Sequence, residues 1–162
     1  ISCDYRVVPS VDDIAAGKVE TNAIRKVAIE DLLHREPYVI DEERMRDTIE
    51  GVSVMVTGAG GSIGSEICRQ IVNLSPSSLV LFEISEFNLF EIERELCIQA
   101  QKKGVRLLAV AGDVRRESQV RSAIRAAGGV SIIYHAAAYK HVDLMERNST
   151  ACLRNNVLGT QV

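Results

Sequence analysis

Val52-Ser53-Val54-Met55-Val56-Thr57-Gly58-Ala59-Gly60-Gly61-Ser62-Ile63-Gly64 is the stretch from which the rest of the chain can be read. Val52–Val56 is a short run rich in β-branched residues, and it leads straight into a glycine turn. Beyond the turn Ile63, Ile67, Ile71 and Leu74 recur at helical spacing. The order is therefore strand, tight turn, helix. Gly58, Gly61 and Gly64 make a G-x-x-G-x-x-G pattern, since Ile63 stands where a G-x-G-x-x-G turn would place another residue type. A turn of this kind needs glycine where the backbone bends sharply and comes close to a pyrophosphate. Amide N–H groups at the helix start then face the anion, and the helix dipole helps. Gly64 would also let the helix pack closely on the strand.

Outward from the turn, the same alternation repeats. Leu79–Phe82, Val105–Val110 and Val130–Tyr134 read as apolar strands. Between them lie helical stripes, Leu89, Ile92, Leu96 and Ala100 in the first and Val120, Ile124 and Ala127 in the second. A further helix begins near Ser149. Apolar strands alternating with helices predict an α/β fold, a Rossmann-type doubly wound parallel sheet with helices on both faces. The expected strand order is third, second, first, fourth, with the fold incomplete after the fourth strand. That strand is then a sheet edge, and its Ile132–Tyr134 segment is apolar and uncharged. Self-association through this edge, or partial disorder of the last helix, is expected.

Composition supports a globular domain with a flanking arm. The 162 residues are 46% hydrophobic and 25% charged, with 19 basic and 22 acidic side chains. A net charge of −3 argues against a dedicated nucleic-acid binder. The charge is uneven: residues 1–50 carry a net −5, the remainder +2, and five of the 11 glycines fall between Gly51 and Gly64. Both shifts place a boundary near Gly51, giving an acidic arm over residues 1–50 and a nucleotide-binding half-domain over residues 51–162. Within the arm, Val11–Ala16 and Asp41–Ile49 read as short helices, the second capped by Asp41, and Pro9 and Pro37 break the arm into pieces. Cys3, Cys68, Cys97 and Cys152 lie far apart and read as thiols in a reducing, cytoplasm-facing compartment. No apolar run approaches the ~20 residues that span a bilayer, so any membrane anchor is expected in segments outside this chain.

Side chains at the predicted strand ends supply the candidate ligands. Glu83 ends the second strand, where a carboxylate would accept hydrogen bonds from adenosine ribose hydroxyls and repel a 2′-phosphate. NAD is therefore favoured over NADP. A solvated strand-end glutamate is the plainer alternative. Asp113 follows Gly112 at the end of the third strand, on the same rim, and could contact an adenine edge. Ala136, Ala137 and Ala138 leave room for something flat where the fourth strand ends, or pack under a helix. Lys140 could meet a phosphate or ribose oxygen, or be solvated. His135 and His141 lack the partners of a metal site.

Taken together, Thr57–Gly64 with Ser65-Glu66-Ile67-Cys68-Arg69-Gln70, His135–Leu144 and Asn155-Asn156-Val157-Leu158-Gly159-Thr160 resemble the extended short-chain dehydrogenase/reductase enzymes. Among those the likeness is to polysaccharide-biosynthesis nucleotide-sugar 4,6-dehydratases of the CapD type, and Ile29–Pro37 is similar to the linker preceding their catalytic domain. The resemblance implies that Gly58, Gly61, Ser62, Ile63 and Gly64 hold the pyrophosphate and Glu83 the ribose. It implies that Asp113 and Val114 flank the adenine and that Ala136–Ala138 line the cofactor groove. Lys140 would lie near the nicotinamide ribose or the substrate, and Asn155 near the cofactor. The implied substrate is UDP-N-acetylglucosamine or a related UDP-sugar. Hydride moves from sugar C4 to NAD(P), water is eliminated across C5–C6, and hydride returns to C6. Asp143 and Ser149 depart from the pattern, standing where many such enzymes carry proline.

The acid–base machinery of those enzymes is not found in this sequence. They carry a Thr-Asp-Lys stretch at the end of the fifth strand and a Tyr/Met-x-x-x-Lys on the next helix, and neither pattern occurs among the 162 residues. No catalytic residue is nominated, and the chain alone is expected to bind cofactor without turnover. A nucleotide-sugar 4-epimerase, which shares the same cofactor half, and a non-catalytic NAD-binding module are the alternatives. The whole protein is expected on the cytoplasmic side, anchored at the inner membrane if at all.

Overall fold

In the computed structural model, residues 41–162 are described, together with the backbone of Arg6–Val7 and Arg25–Lys26. Those two short segments, β1 (Arg6–Val7) and β2 (Arg25–Lys26), pair antiparallel, with Arg6 opposite Lys26. They belong to a unit over residues 1–40, and a second unit comprises residues 41–162. The helix expected over Val11–Ala16 lies outside the described residues.

The boundary expected near Gly51 falls instead after Ile40. The reason is α1 (Glu42–Ile49), whose last residue, Ile49, is buried in the core of the second unit. The Asp41 carboxylate accepts the Arg44 amide N–H at 3.0 Å, and Glu42 and Glu43 occupy the first turn. A side-chain cap and acids at a helix start both satisfy its open amides.

Strands and helices then alternate: β3 (Ser53–Thr57), α2 (Ser62–Asn73), β4 (Ser78–Glu83), α3 (Glu86–Lys102), β5 (Arg106–Ala111), α4 (Glu117–Ala127) and β6 (Ile132–His135). The four strands make one parallel sheet in the order β5-β4-β3-β6, as the sequence predicts. Val56 sits beside Leu81 on one side and Tyr134 on the other. Alternate residues of a strand face opposite sides of the sheet, which divides the core in two. Val54 and Val56 pack with Cys68, Ile71, Val72, Leu89, Ile92 and Leu96 under α2 and α3. Met55, Val80 and Phe82 pack with Val114, Ala123 and Ala127 on the α4 side. Burial pushes the Cys68 thiol up to about 12, so it packs as a small apolar group.

β3 and β4 are buried along nearly their whole length, whereas β5 and β6 are only partly covered. Being apolar on both faces in sequence does not make a strand doubly buried when it lies at an edge. Ile133 of β6 is 49% exposed.

After β6 come α5 (Val142–Glu146) and a helix in three parts: α6 (Ser149–Leu153), a π-wound turn (Arg154–Leu158) and α7 (Gly159–Gln161). Among the described residues no helix is long and apolar enough to cross a membrane.

Candidate functional site

The carboxyl ends of the strands meet in a groove of ≈190 Å³ lined by Gly58, Gly61, Glu83, Ile84, Asn88, Gly112, Asp113, Val114, Ala136, Ala137, Ala138, Tyr139 and Asn155. Open parallel sheets place ligand crevices at this end, where the chain order reverses direction. Here the reversal lies between β3 and β6.

The glycine turn is stitched to the neighbouring strand. Gly58 and Ala59 donate their amides to Phe82 O at 2.8 and 3.3 Å, Gly60 donates to Glu83 Oε2 at 3.1 Å, and Gly61 to Gly58 O at 3.0 Å. Gly58 has φ +65°, and a Cβ there would meet the backbone of Ala136 and Ala137 at 2.8–2.9 Å. A Cβ on Gly64 would collide with Gly58 O. Only glycine satisfies both positions.

Past the turn, α2 begins without help. Its cap residue Gly61 has no side chain, and no acid stands in its first turn. Among the described residues the amides of Ser62, Ile63 and Gly64 have no hydrogen-bond acceptor. Three open donors at the positive end of a helix, beside a turn where side chains are excluded, suit a diphosphate. Ser62 and Ile63 are exposed at this helix start and do not line the groove itself.

Across the groove, Glu83 is 7% exposed, and both of its oxygens already have partners. Oε2 takes the Gly60 amide and Oε1 the Ser85 amide at 2.9 Å. The solvated-glutamate alternative is thereby corrected: this carboxylate is buried at the foot of the groove. Asp113 is also held. Arg115 donates its Nε to both carboxylate oxygens at 2.9 and 3.0 Å, its Nη2 at 2.6 Å, and its backbone amide at 2.9 Å. The guanidinium keeps the Asp113 carboxyl below its ordinary range. Val114 is buried between the groove and α4.

The fourth wall is the loop of three alanines, fixed from the helix opposite. Asn156 makes a reciprocal pair with Tyr139, accepting its amide at 2.9 Å and donating to its carbonyl at 2.8 Å. Asn155, buried beside it, donates Nδ2 to Ala137 O at 3.4 Å. The π winding lets these adjacent residues reach one loop, and such turns recur at functional positions. His135 joins the layers: its Nδ1 lies 2.7 Å from Thr57 Oγ1 and its Nε2 3.2 Å from Thr160 Oγ1.

Lys140 is expected near the nicotinamide ribose or the substrate. It does not line the groove but lies on a neighbouring apolar depression with Val142, Met145, Cys152, Leu153 and Val157. Tyr139, paired with Asn156, lines both depressions, and Lys140 lines only the second. Ile84, Asn88, Gly112 and Tyr139 line the groove and were not singled out from sequence. Their signal was position, since Ile84 follows Glu83, Gly112 precedes Asp113 and Tyr139 follows Ala138. Asn88, one helical turn beyond Ser85, had no such marker.

Residues 54–162 match the family described as polysaccharide biosynthesis protein. The chain is 36% identical over 95% of its length to the capsular polysaccharide biosynthesis protein CapD of Staphylococcus aureus, and covers 25% of that protein. It is 38% identical over 96% of its length to the probable polysaccharide biosynthesis protein EpsC of Bacillus subtilis, covering 26% of it. The chain thus spans about a quarter of the length of these relatives. More distant likenesses, both 27% identical over 67% of the chain, are to a UDP-N-acetylglucosamine 4,6-dehydratase (inverting) of Campylobacter jejuni and a UDP-glucose 4-epimerase of Rickettsia rickettsii, each covered to 30%. Among solved structures, Pen from Bacillus thuringiensis matches with TM-score 0.59 at 30% identity, over 70% of this chain and 32% of that one. A short-chain dehydrogenase from Mycobacterium smegmatis shares the fold, with TM-score 0.57 at 22% identity over 70% of this chain and 48% of that one.

Proposed function

Since the chain belongs to the polysaccharide biosynthesis protein family, we propose that its groove is the NAD-binding half of a nucleotide-sugar 4,6-dehydratase. The observation that carries this is the open start of α2 against a turn that admits only glycine at positions 58 and 64. The donor set fits a dinucleotide: the amides of Ser62, Ile63 and Gly64 take the diphosphate, and Ile84 and Val114 offer apolar surface to the base. Glu83 stands at the ribose position, where its charge disfavours a 2′-phosphate. Ala136–Ala138 give the nicotinamide end room to lie flat. When bound, the cofactor supplies hydride acceptance and return. The protein's own part in this half is to orient it and keep its wall rigid through Asn155 and Asn156.

The likeness to a UDP-N-acetylglucosamine 4,6-dehydratase supports a UDP-sugar substrate, and the likeness to CapD supports a role in cell-surface polysaccharide synthesis. None of these 162 residues offers the Tyr/Met-x-x-x-Lys pair, and no acid–base residue is assigned among them. A 4-epimerase is the second reading, favoured by the equal identity to a UDP-glucose 4-epimerase. Products of the whole enzyme separate the two: a 4-keto-6-deoxy sugar marks the dehydratase, and an intact 6-hydroxyl marks the epimerase. NAD titrated calorimetrically into this chain is expected to bind, and absence of heat would remove the cofactor reading.

A further inference from the structure

Glu83 does something in this structure that ribose recognition does not require. Of the four amides in Gly58–Gly61, one closes the turn on itself, two go to Phe82 O, and the fourth, Gly60, goes to the Glu83 carboxylate. The other carboxylate oxygen takes the Ser85 amide, at the start of α3. One buried side chain thus bridges the first and second strand-to-helix turns, and it needs two acceptors to do so. A carboxylate provides them. A glutamine provides one, and its amide group would face an N–H donor, leaving one amide unpaired in a buried place.

We infer that Glu83 is a positioning residue for the glycine turn, holding Gly60 so that the open amides of α2 are aimed before any ligand arrives. The inference rests on the reading of this groove as an adenine dinucleotide site. It separates from a ribose-only role by sign. If Glu83 served only the ribose, removing its negative charge would leave the binding of a diphosphate without ribose hydroxyls unchanged, or improve it, since like charges repel. If Glu83 aims the turn, the same change weakens that ligand too.

The test uses the 162-residue chain and its Glu83→Gln variant, with ADP and 2′,3′-dideoxy-ADP titrated calorimetrically. Both ligands are expected to weaken by about tenfold, the scale of one buried hydrogen bond to a charged group. A dideoxy affinity that stays or rises while ADP weakens would overturn the inference. In the wild-type chain, a scalar coupling across the hydrogen bond between the Gly60 amide nitrogen and the Glu83 carboxylate carbon is expected, and its absence would overturn the inference even if the variant fails to fold. If the wild-type chain binds neither nucleotide, the cofactor reading fails, while the coupling still decides whether the carboxylate holds the turn.

Discussion

The protein builds the same connection twice, side by side, and finishes it differently. At β4–α3 the helix is closed: Ser85 Oγ accepts the Asn88 amide at 3.3 Å, and Glu86 stands in the first turn. At β3–α2 the cap is Gly61, with no side-chain bond and no acid. Even α4, which also lacks a side-chain cap, has Glu117 in its first turn. Of the three helices that follow β3, β4 and β5, α2 alone leaves its positive end unanswered. A helix start without cap or acid forgoes about 1 kcal/mol. The contrast is what the proposed cofactor site requires: one end left open for an external anion, and one closed to serve the fold.

Changes at the two turns should therefore have opposite characters. Gly64→Ala has the largest expected effect. Its Cβ would displace the Gly58 carbonyl, costing about 3 kcal/mol of stability in denaturant titration and abolishing NAD binding. Ser85→Ala should cost about 1 kcal/mol in the same titration while leaving NAD affinity within twofold. Ser62→Asp, which makes α2 resemble α3, should invert that outcome. The chain gains roughly 0.5 kcal/mol, and NAD binding weakens about fivefold as the new carboxylate competes for the amides. If Ser62→Asp left binding untouched, the two turns would not differ in purpose.

The smallest effect concerns Asp113 on the third turn. Its folded pKa is depressed, first by the side-chain hydrogen bond to Arg115. The stabilisation is thus present above the unfolded carboxylate value of about 3.9, and is lost as pH falls through the lower folded value. Wild type and Asp113→Asn should differ in melting temperature at neutral pH and converge in strong acid. A gap that widened in acid would contradict the pairing.

Much of this was legible in the sequence because period and glycine placement report directly on local backbone. Val54–Val56 and the Ile67–Ile71 stripe fixed a strand and a helix, and the order of the four strands followed from the rule for doubly wound sheets. The start of the second unit was not legible. The drop in acidity after Glu50 marks a change of surface, whereas the burial of Ile49 is a tertiary event. At the groove, residue types told which groups could meet a ligand but not which were already engaged. Nothing in Glu83–Ser85 or Asp113–Arg115 as text says that both carboxylates are held by neighbouring donors.

The central claim is that the diphosphate of the cofactor rests on the start of α2, and amide chemical shifts test it most directly. NAD titrated into the isotope-labelled chain should move the resonances of Ser62, Ile63 and Gly64 furthest and saturably, with smaller shifts at the start of α3, where Asn88 also lines the groove. Shifts that spare these three amides, or that gather at the apolar depression beside Lys140, would contradict it.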